Sequence, residues 1–174
     1  MIVFRKLTLA DEVAYRAFEK AMLEDKKVNP YVEWWHVEDF PKFVTDNHQS
    51  EQKQEGQSWS TYTRYFAFLD GHIVGFLICF WEIDHPDCQK LGHVGYIVAP
   101  AYRRQGLGRR FLTFAKDRYR EKGMASVLLV TDQANIASRG LIEQLGGQLV
   151  ALEEIDHLEK SLQAARYQLR TEDL

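Results

Sequence analysis

The run Arg103-Arg104-Gln105-Gly106-Leu107-Gly108 sets two arginines beside two glycines two residues apart. Glycine lets a backbone pass close to a ligand, and where a turn opens a helix its amides point outward without intrahelical partners, so such a terminus attracts phosphate. Two familiar nucleotide patterns are excluded. A dinucleotide fingerprint needs a third glycine where Phe111 stands, and a P-loop needs Gly-Lys followed by Ser or Thr, which is absent.

The neighbouring segments must position this turn. Tyr96, Ile97 and Val98 read as the end of a strand that Pro100 stops, while Leu107, Phe111 and Phe114 recur at helical spacing, which predicts a helix from near Gly106. The apolar run Ser126 to Thr131 predicts a strand, and the crossover rule sets it parallel to the one at 93–98, completing a βαβ unit. Upstream, Ile2 to Leu9 reads as a strand, and Thr8 with Asp11 as a capping box for a helix ending near Glu24. From Asp25 to Ser58 the pattern loosens into short helices around Tyr31, Trp34, Trp35, Phe40 and Phe43, then a mobile polar loop over Asn47 to Gly56. Arg64 to Leu69 and His72 to Glu82 flank Asp70-Gly71, a hairpin turn. Asp84 to Leu91 reads as a loop. Asn135 to Leu145 predicts a helix closed by Gly146-Gly147, before final strands at Gln148 to Ile155 and Arg166 to Arg170.

At 174 residues the chain is expected to form one domain over 1–174, burying roughly 70% of its unfolded surface. No stretch approaches the ~20 apolar residues of a membrane span, and the N-terminus lacks the layout of a signal peptide, so a cytoplasmic protein without a membrane partner is expected. Cys79 and Cys88, without metal spacing, read as free thiols in a reducing compartment, and no metal is expected. Ala101 to Lys122 holds eight basic residues against two acidic ones. That local surplus of six leaves −9 for the rest of a chain whose net charge is −3. Positive charge is thus concentrated where a polyanion would sit.

The turn fits Arg/Gln-x-x-Gly-x-Gly/Ala after a Val-x-Pro strand end, and on these residues the chain resembles the GNAT superfamily of N-acetyltransferases. Gly92-His93-Val94-Gly95-Tyr96, with Asn135-x-x-Ser138-x-x-x-Ile142-x-x-x-Gly146-Gly147, is similar to a bacterial group of predicted acetyltransferases. The resemblance implies a single α/β (α+β) domain. Its mixed, mostly antiparallel sheet would have about six to seven strands, helices on both faces, and a V-shaped splay between the strands at 93–98 and 126–131. It implies acetyl-CoA as co-substrate and no metal. The backbone of Tyr96, Ile97 and Val98 would pair with the pantetheine arm, as would Asn135 and Ser138 from the helix. The segment Arg103, Arg104, Gln105, Gly106, Leu107, Gly108 and Arg109 would hold the pyrophosphate.

The resemblance breaks at Ile142, where many members carry a tyrosine thought to protonate the departing thiolate; Ser138, one helical turn earlier on the same face, directly or through water, or water alone, would take that role instead. The acceptor must attack as a neutral amine, although an ordinary lysine-like amine has a pKa of about 10.4, so a base is required. Glu82 and His93 are the candidates taken forward, with Asp84 and His85 as alternatives. The superfamily's usual base position falls at Gly92.

These residues imply an N-acetyltransferase moving an acetyl group to a primary amine of a small molecule or peptide by direct attack in a ternary complex, with strand amides near Val98 stabilising the oxyanion. The alternative is a non-catalytic coenzyme A-binding sensor or scaffold. Nucleic-acid binding ranks last because of the −9 elsewhere. Glu24, Asp25, Glu33, Glu38 and Asp39 with Tyr31, Trp34 and Trp35 suggest a cationic acceptor. Assembly as a homodimer is left open.

Overall fold

The computed structural model describes residues 1–157 and 159–172. Its seven strands make two antiparallel sheets within one α/β domain. The first orders β1 (Val3–Arg5), β2 (Tyr62–Leu69), β3 (His72–Phe80) and β4 (Val94–Val98) consecutively; the second sets β7 (Lys160–Arg170) between β5 (Ser126–Asp132) and β6 (Gln148–His157). Asp70 and Gly71 join β2 to β3 with φ of 50° and 79°, the double positive φ of a type I′ turn.

Helices cover both faces. On one, α1 (Glu12–Lys26) and α2 (Phe40–Gln49) bury Tyr15, Phe18, Met22, Phe40 and Val44 against Phe66, Phe68 and Ile73 of the first sheet. On the other, α4 (Leu107–Glu121) and α5 (Ile136–Gln144) form a core that touches both sheets at once: Leu112, Ala115, Tyr119 and Ile142 pack with Leu77, Cys79 and Val94, and also with Val127, Leu129 and Tyr167. Burying each such side chain contributes about 1.5–3 kcal/mol, so α4 is the main apolar bond between the sheets. The Tyr119 hydroxyl ties α4 to the first sheet as well, donating toward the Phe80 carbonyl at 2.8 Å and that of His93 at 2.7 Å.

Several elements differ from expectation, each for a local reason. The opening strand is only Val3–Arg5, because the Arg5 guanidinium turns to the Asp11 carboxylate at 2.7 Å and the chain bends. The polar stretch expected as a loop from Asn47 begins inside α2, where buried Asn47 accepts from Arg64 Nη1 at 2.7 Å. A short helix, α3 (Pro86–Leu91), occupies the expected loop; the His85 ring accepts the Asp87 N–H as its cap and Pro86 opens it. The last two strands are longer than their apolar content predicts, extended by polar cross-strand pairs such as Gln163 to Glu154 at 3.0 Å and Arg166 to Glu153 at 2.8 Å.

The expected parallel pairing of β4 with β5 is corrected as well. All the ladders among the described residues are antiparallel, and the two strands meet only through a bridge between Gly92 and Leu129. Beyond it they separate, which is the splay expected between them.

Candidate active site

The splay has a pinned vertex. The His93 N–H donates to the Leu128 carbonyl at 2.8 Å, and the Leu128 N–H donates back to His93 Nδ1 at 2.8 Å. Nδ1 must therefore be the acceptor, so the ring is neutral and Nε2–H donates to the Ile83 carbonyl at 2.9 Å. The imidazole is 3% exposed, and burial holds its pKa below the ordinary value.

Between the diverging strands lies a cleft of about 780 Å³, lined on one side by Val94 to Val98 and on the other by Leu129 to Asp132, Asn135 and Ser138. Ala99 N–H donates to Val74 O and Phe80 N–H to His93 O. Antiparallel alternation then assigns Gly95 and Ile97 to the β3 ladder and turns the backbone groups of Val94, Tyr96 and Val98 toward the cleft. The free edge of β4 thus offers peptide donors and acceptors to an extended amide-bearing ligand.

At the open end of the cleft the turn at 103–108 is held by Arg103, whose Nε donates to Val98 O at 2.9 Å and whose guanidinium pairs with Asp25 at 2.6 Å. Arg103 therefore builds the turn. Arg104 (φ 59°) and Gly106 (φ 77°) both occupy the left-handed region, which curls consecutive amides to one side. Among the described residues the N–H groups of 104 to 109 have no backbone or side-chain partner. Gly108 lies close to α5: a Cβ there would stand 2.8 Å from Leu141 Cδ2, the far end of a side chain that can shift. Arg118 and Arg120 are paired with Glu121 and Asp117, but Arg104, Arg109 and Arg110 have no acidic partner among the described residues. Three uncompensated cations at the positive end of a helix dipole conflict with one another, and a bound polyanion removes the conflict.

Asn135 caps α5, its side chain accepting the Ser138 N–H at 3.2 Å. The Ser138 hydroxyl lies 3.2 Å from the Tyr96 hydroxyl, joining α5 to β4 across the cleft. Burial raises the Tyr96 phenol above its ordinary pKa, and the bond to Ser138 offsets part of that rise. Ile142 is buried in the core and presents nothing polar.

Glu82 and His93 are not brought to this cleft. The Glu82 carboxylate takes Lys53 Nζ at 3.0 Å and the Thr61 N–H at 3.2 Å, and the Lys53 bond leads in lowering its pKa. A carboxylate so satisfied is a weak base. His93 has both ring nitrogens committed to backbone partners. The alternative His85 is likewise spent, on Ser58 O at 2.7 Å and on its capping bond.

One constellation has no counterpart in the sequence reading. His157 Nε2, at the end of β6, lies 3.5 Å from the Glu33 carboxylate, and both residues line the cleft with Tyr31. They are 124 positions apart, so no local spacing signals the pair. Of the other acidic and aromatic residues between 24 and 39, three have different work. Asp25 binds Arg103, Asp39 caps α2 through the Lys42 N–H at 2.9 Å, and Trp34 is buried against Phe18. The loop is fastened to α1 by buried Glu19, which accepts the Val37 N–H at 2.8 Å and meets His36 Nδ1 at 2.8 Å. Among the described residues no cluster of His, Cys, Asp or Glu could hold a metal ion, and no helix is long and apolar enough to cross a membrane.

Residues 29–147 match the model of the acetyltransferase (GNAT) family. No curated protein matches the sequence. Among solved structures the chain is similar to a GNAT-family acetyltransferase from Bacillus anthracis, with TM-score 0.72 and 16% identity over 99% of this chain and 96% of that one. A Salmonella typhimurium protein solved with its cofactor acetyl-CoA gives TM-score 0.63 and 18% identity over 99% and 95%. The ribosomal-protein-S18-alanine N-acetyltransferase from Escherichia coli gives 0.62 and 20% over 100% and 96%. At such identities the likeness is one of fold.

Proposed function

The chain belongs to the GNAT acetyltransferase family, and we propose that it moves the acetyl group of acetyl-CoA to a primary amine of a small molecule or peptide by direct attack in a ternary complex. The observation that carries this reading is the row of unpartnered amides from 104 to 109 at the mouth of a cleft whose β4 wall is an open strand edge. A diphosphate would sit on those amides between Arg104 and Arg109. The pantetheine arm would pair its two amides with the edge of Tyr96 and Val98, alongside Asn135. In that pose the thioester lies deep in the cleft, where edge amides of β4 can stabilise the oxyanion of the tetrahedral intermediate.

The acceptor enters past Tyr31, Glu33 and His157. A cationic amine is favoured there by an acidic and an aromatic group, and histidine is the side chain that ordinarily exchanges protons near neutrality, so the His157–Glu33 pair takes the role of base. Two unpaired cysteines accord with a reducing compartment such as the cytoplasm.

A panel of primary amines and of peptides with free N-termini, assayed for release of free coenzyme A, tests the activity. Acetyl-CoA at 100 times its dissociation constant should add about 2.7 kcal/mol to folding stability, and ATP or NAD at equal concentration should add much less. Binding without thioester consumption by any amine would replace the enzyme by a coenzyme A-binding protein; equal shifts from all three ligands would reduce the turn to a generic anion site.

A further inference from the structure

A thiolate leaving the tetrahedral intermediate needs a proton, and the helix position that resembles the superfamily's phenol holds Ile142, 1% exposed. The cleft nevertheless contains a phenol on its other wall. Tyr96 projects from β4 onto the face covered by α4 and α5, with its ring 3.8 Å from where a Cβ of Gly108 would stand and its hydroxyl 3.2 Å from Ser138 Oγ. Its backbone is on the free edge of the strand, so one residue meets the arm of the ligand with its main chain and lies beside it with its side chain.

We propose that the Tyr96 phenol is the proton donor to the departing thiolate, delivered from β4 instead of from α5, with Ser138 as its positioning residue. The inference rests on the acetyltransferase reading. The amine nitrogen attacks the thioester carbonyl carbon, a C–N bond forms and the carbonyl pair moves onto oxygen. On collapse that pair returns, the C–S bond breaks with its electrons on sulfur, and sulfur takes the Tyr96 O–H proton. The phenolate, stabilised by the Ser138 O–H, regains the proton that the acceptor nitrogen has shed. One proton has moved from nitrogen to sulfur and nothing else is consumed.

Acidity favours the phenol over the serine. A phenol ionises near 10 and a thiol near 8.5, whereas an alcohol is a far weaker acid, so only the phenol is matched closely enough to share its proton in the transition state. Burial keeps Tyr96 protonated at neutral pH, and the Ser138 bond acts in the opposite sense, supporting the phenolate as it forms. Burial and the Ser138 hydroxyl are what move this phenol; the charged side chains and the histidine that share its cleft are Glu33, Arg103, Arg104, Asp132 and His157.

The test is turnover of the full chain at saturating acetyl-CoA and the best amine, with acetyl-CoA affinity measured by calorimetry. Tyr96→Phe, which keeps the ring, should lower kcat by about 10- to 100-fold with affinity within about threefold. The parent should lose kcat at alkaline pH where the phenol ionises; that decline should vanish in Tyr96→Phe and move to higher pH in Ser138→Ala, because that substitution removes the bond that lowers the pKa. Unchanged kcat in Tyr96→Phe, or kcat and affinity falling together with the alkaline limb intact, would overturn the assignment in favour of a packing role. A parent chain that binds acetyl-CoA but acetylates no amine would instead strike the transferase reading on which the inference rests.

Discussion

Replacing His93 by alanine separates a structural pin from a catalytic base. The ring makes two bonds that alanine cannot, from the Leu128 N–H at 2.8 Å and to the Ile83 carbonyl at 2.9 Å, in a position only 3% exposed. Stranding a buried donor or acceptor costs about 1–3 kcal/mol each, and the vacated volume adds to that, so a loss of about 2–5 kcal/mol is expected out of a total of roughly 5–15. Urea denaturation at pH 7.5 reads this directly as a fall in midpoint at constant slope. The pH dependence carries a second signature. Because the folded-state pKa is depressed, the folded protein binds this proton less readily than the unfolded chain. The contribution of the neutral ring is complete above the ordinary histidine value of about 6.5 and is lost as pH falls from there toward the lower folded value. His93→Asn, which does not titrate, should lack that component of the acid sensitivity. Stability within about 0.5 kcal/mol of the parent together with abolished turnover would refute the pin and return His93 to the role of base.

Two further outcomes follow from the turn and the core. Gly108→Glu should abolish coenzyme A binding with the fold retained, since Leu141 can give way while the carboxylate reverses the charge at the unpaired amides; Arg104→Ala should weaken binding less, and the opposite ranking in calorimetry would move the anion's hold from backbone to side chain. Cys79, fully buried with its pKa pushed up to about 12, and Cys88, 2% exposed and also raised, should both resist a disulfide reagent until denaturant is added; a fast-reacting Cys88 would show that α3 opens in the native state.

What was legible in the sequence was what is local. Glycine spacing and the recurrence of Leu107, Phe111 and Phe114 located the turn and the helix it opens, and Asp70-Gly71 located the hairpin. The polar ends of β6 and β7 were hidden because their pairing depends on Glu153, Glu154, Gln163 and Arg166, residues whose alternation carries no hydropathy signal. Short α3 was hidden because a histidine caps it. The chemistry was less legible than the fold. Nothing near His93 in sequence says that Leu128 and Ile83 engage both of its nitrogens, and nothing near Arg103 says that Asp25, 78 positions earlier, takes its guanidinium. The same limit conceals the phenol: local sequence marks Tyr96 only as a strand residue, and the folded chain sets its hydroxyl against Ser138.

The division into two sheets also governs how the chain is made. The first sheet is encoded entirely before residue 99 and the second entirely after 125, with α4 between them. On the ribosome β1 to β4 can assemble while α4, which covers Leu77, Cys79 and Val94, is unsynthesised for about 1–5 s, and while β5 and β7 are incomplete for about 4–15 s, at roughly 5–20 residues per second. Until α4 forms, the β4 edge is open beside a bare apolar face, an arrangement apt to recruit a strand from another nascent chain. Most proteins blunt such an edge with a proline, a lysine or a bulge. Between Val94 and Val98 there is no proline, no lysine and no bulge in the ladder with β3, so the edge stays open to pairing, and crowding of nascent chains should lower the soluble fraction as expression rises.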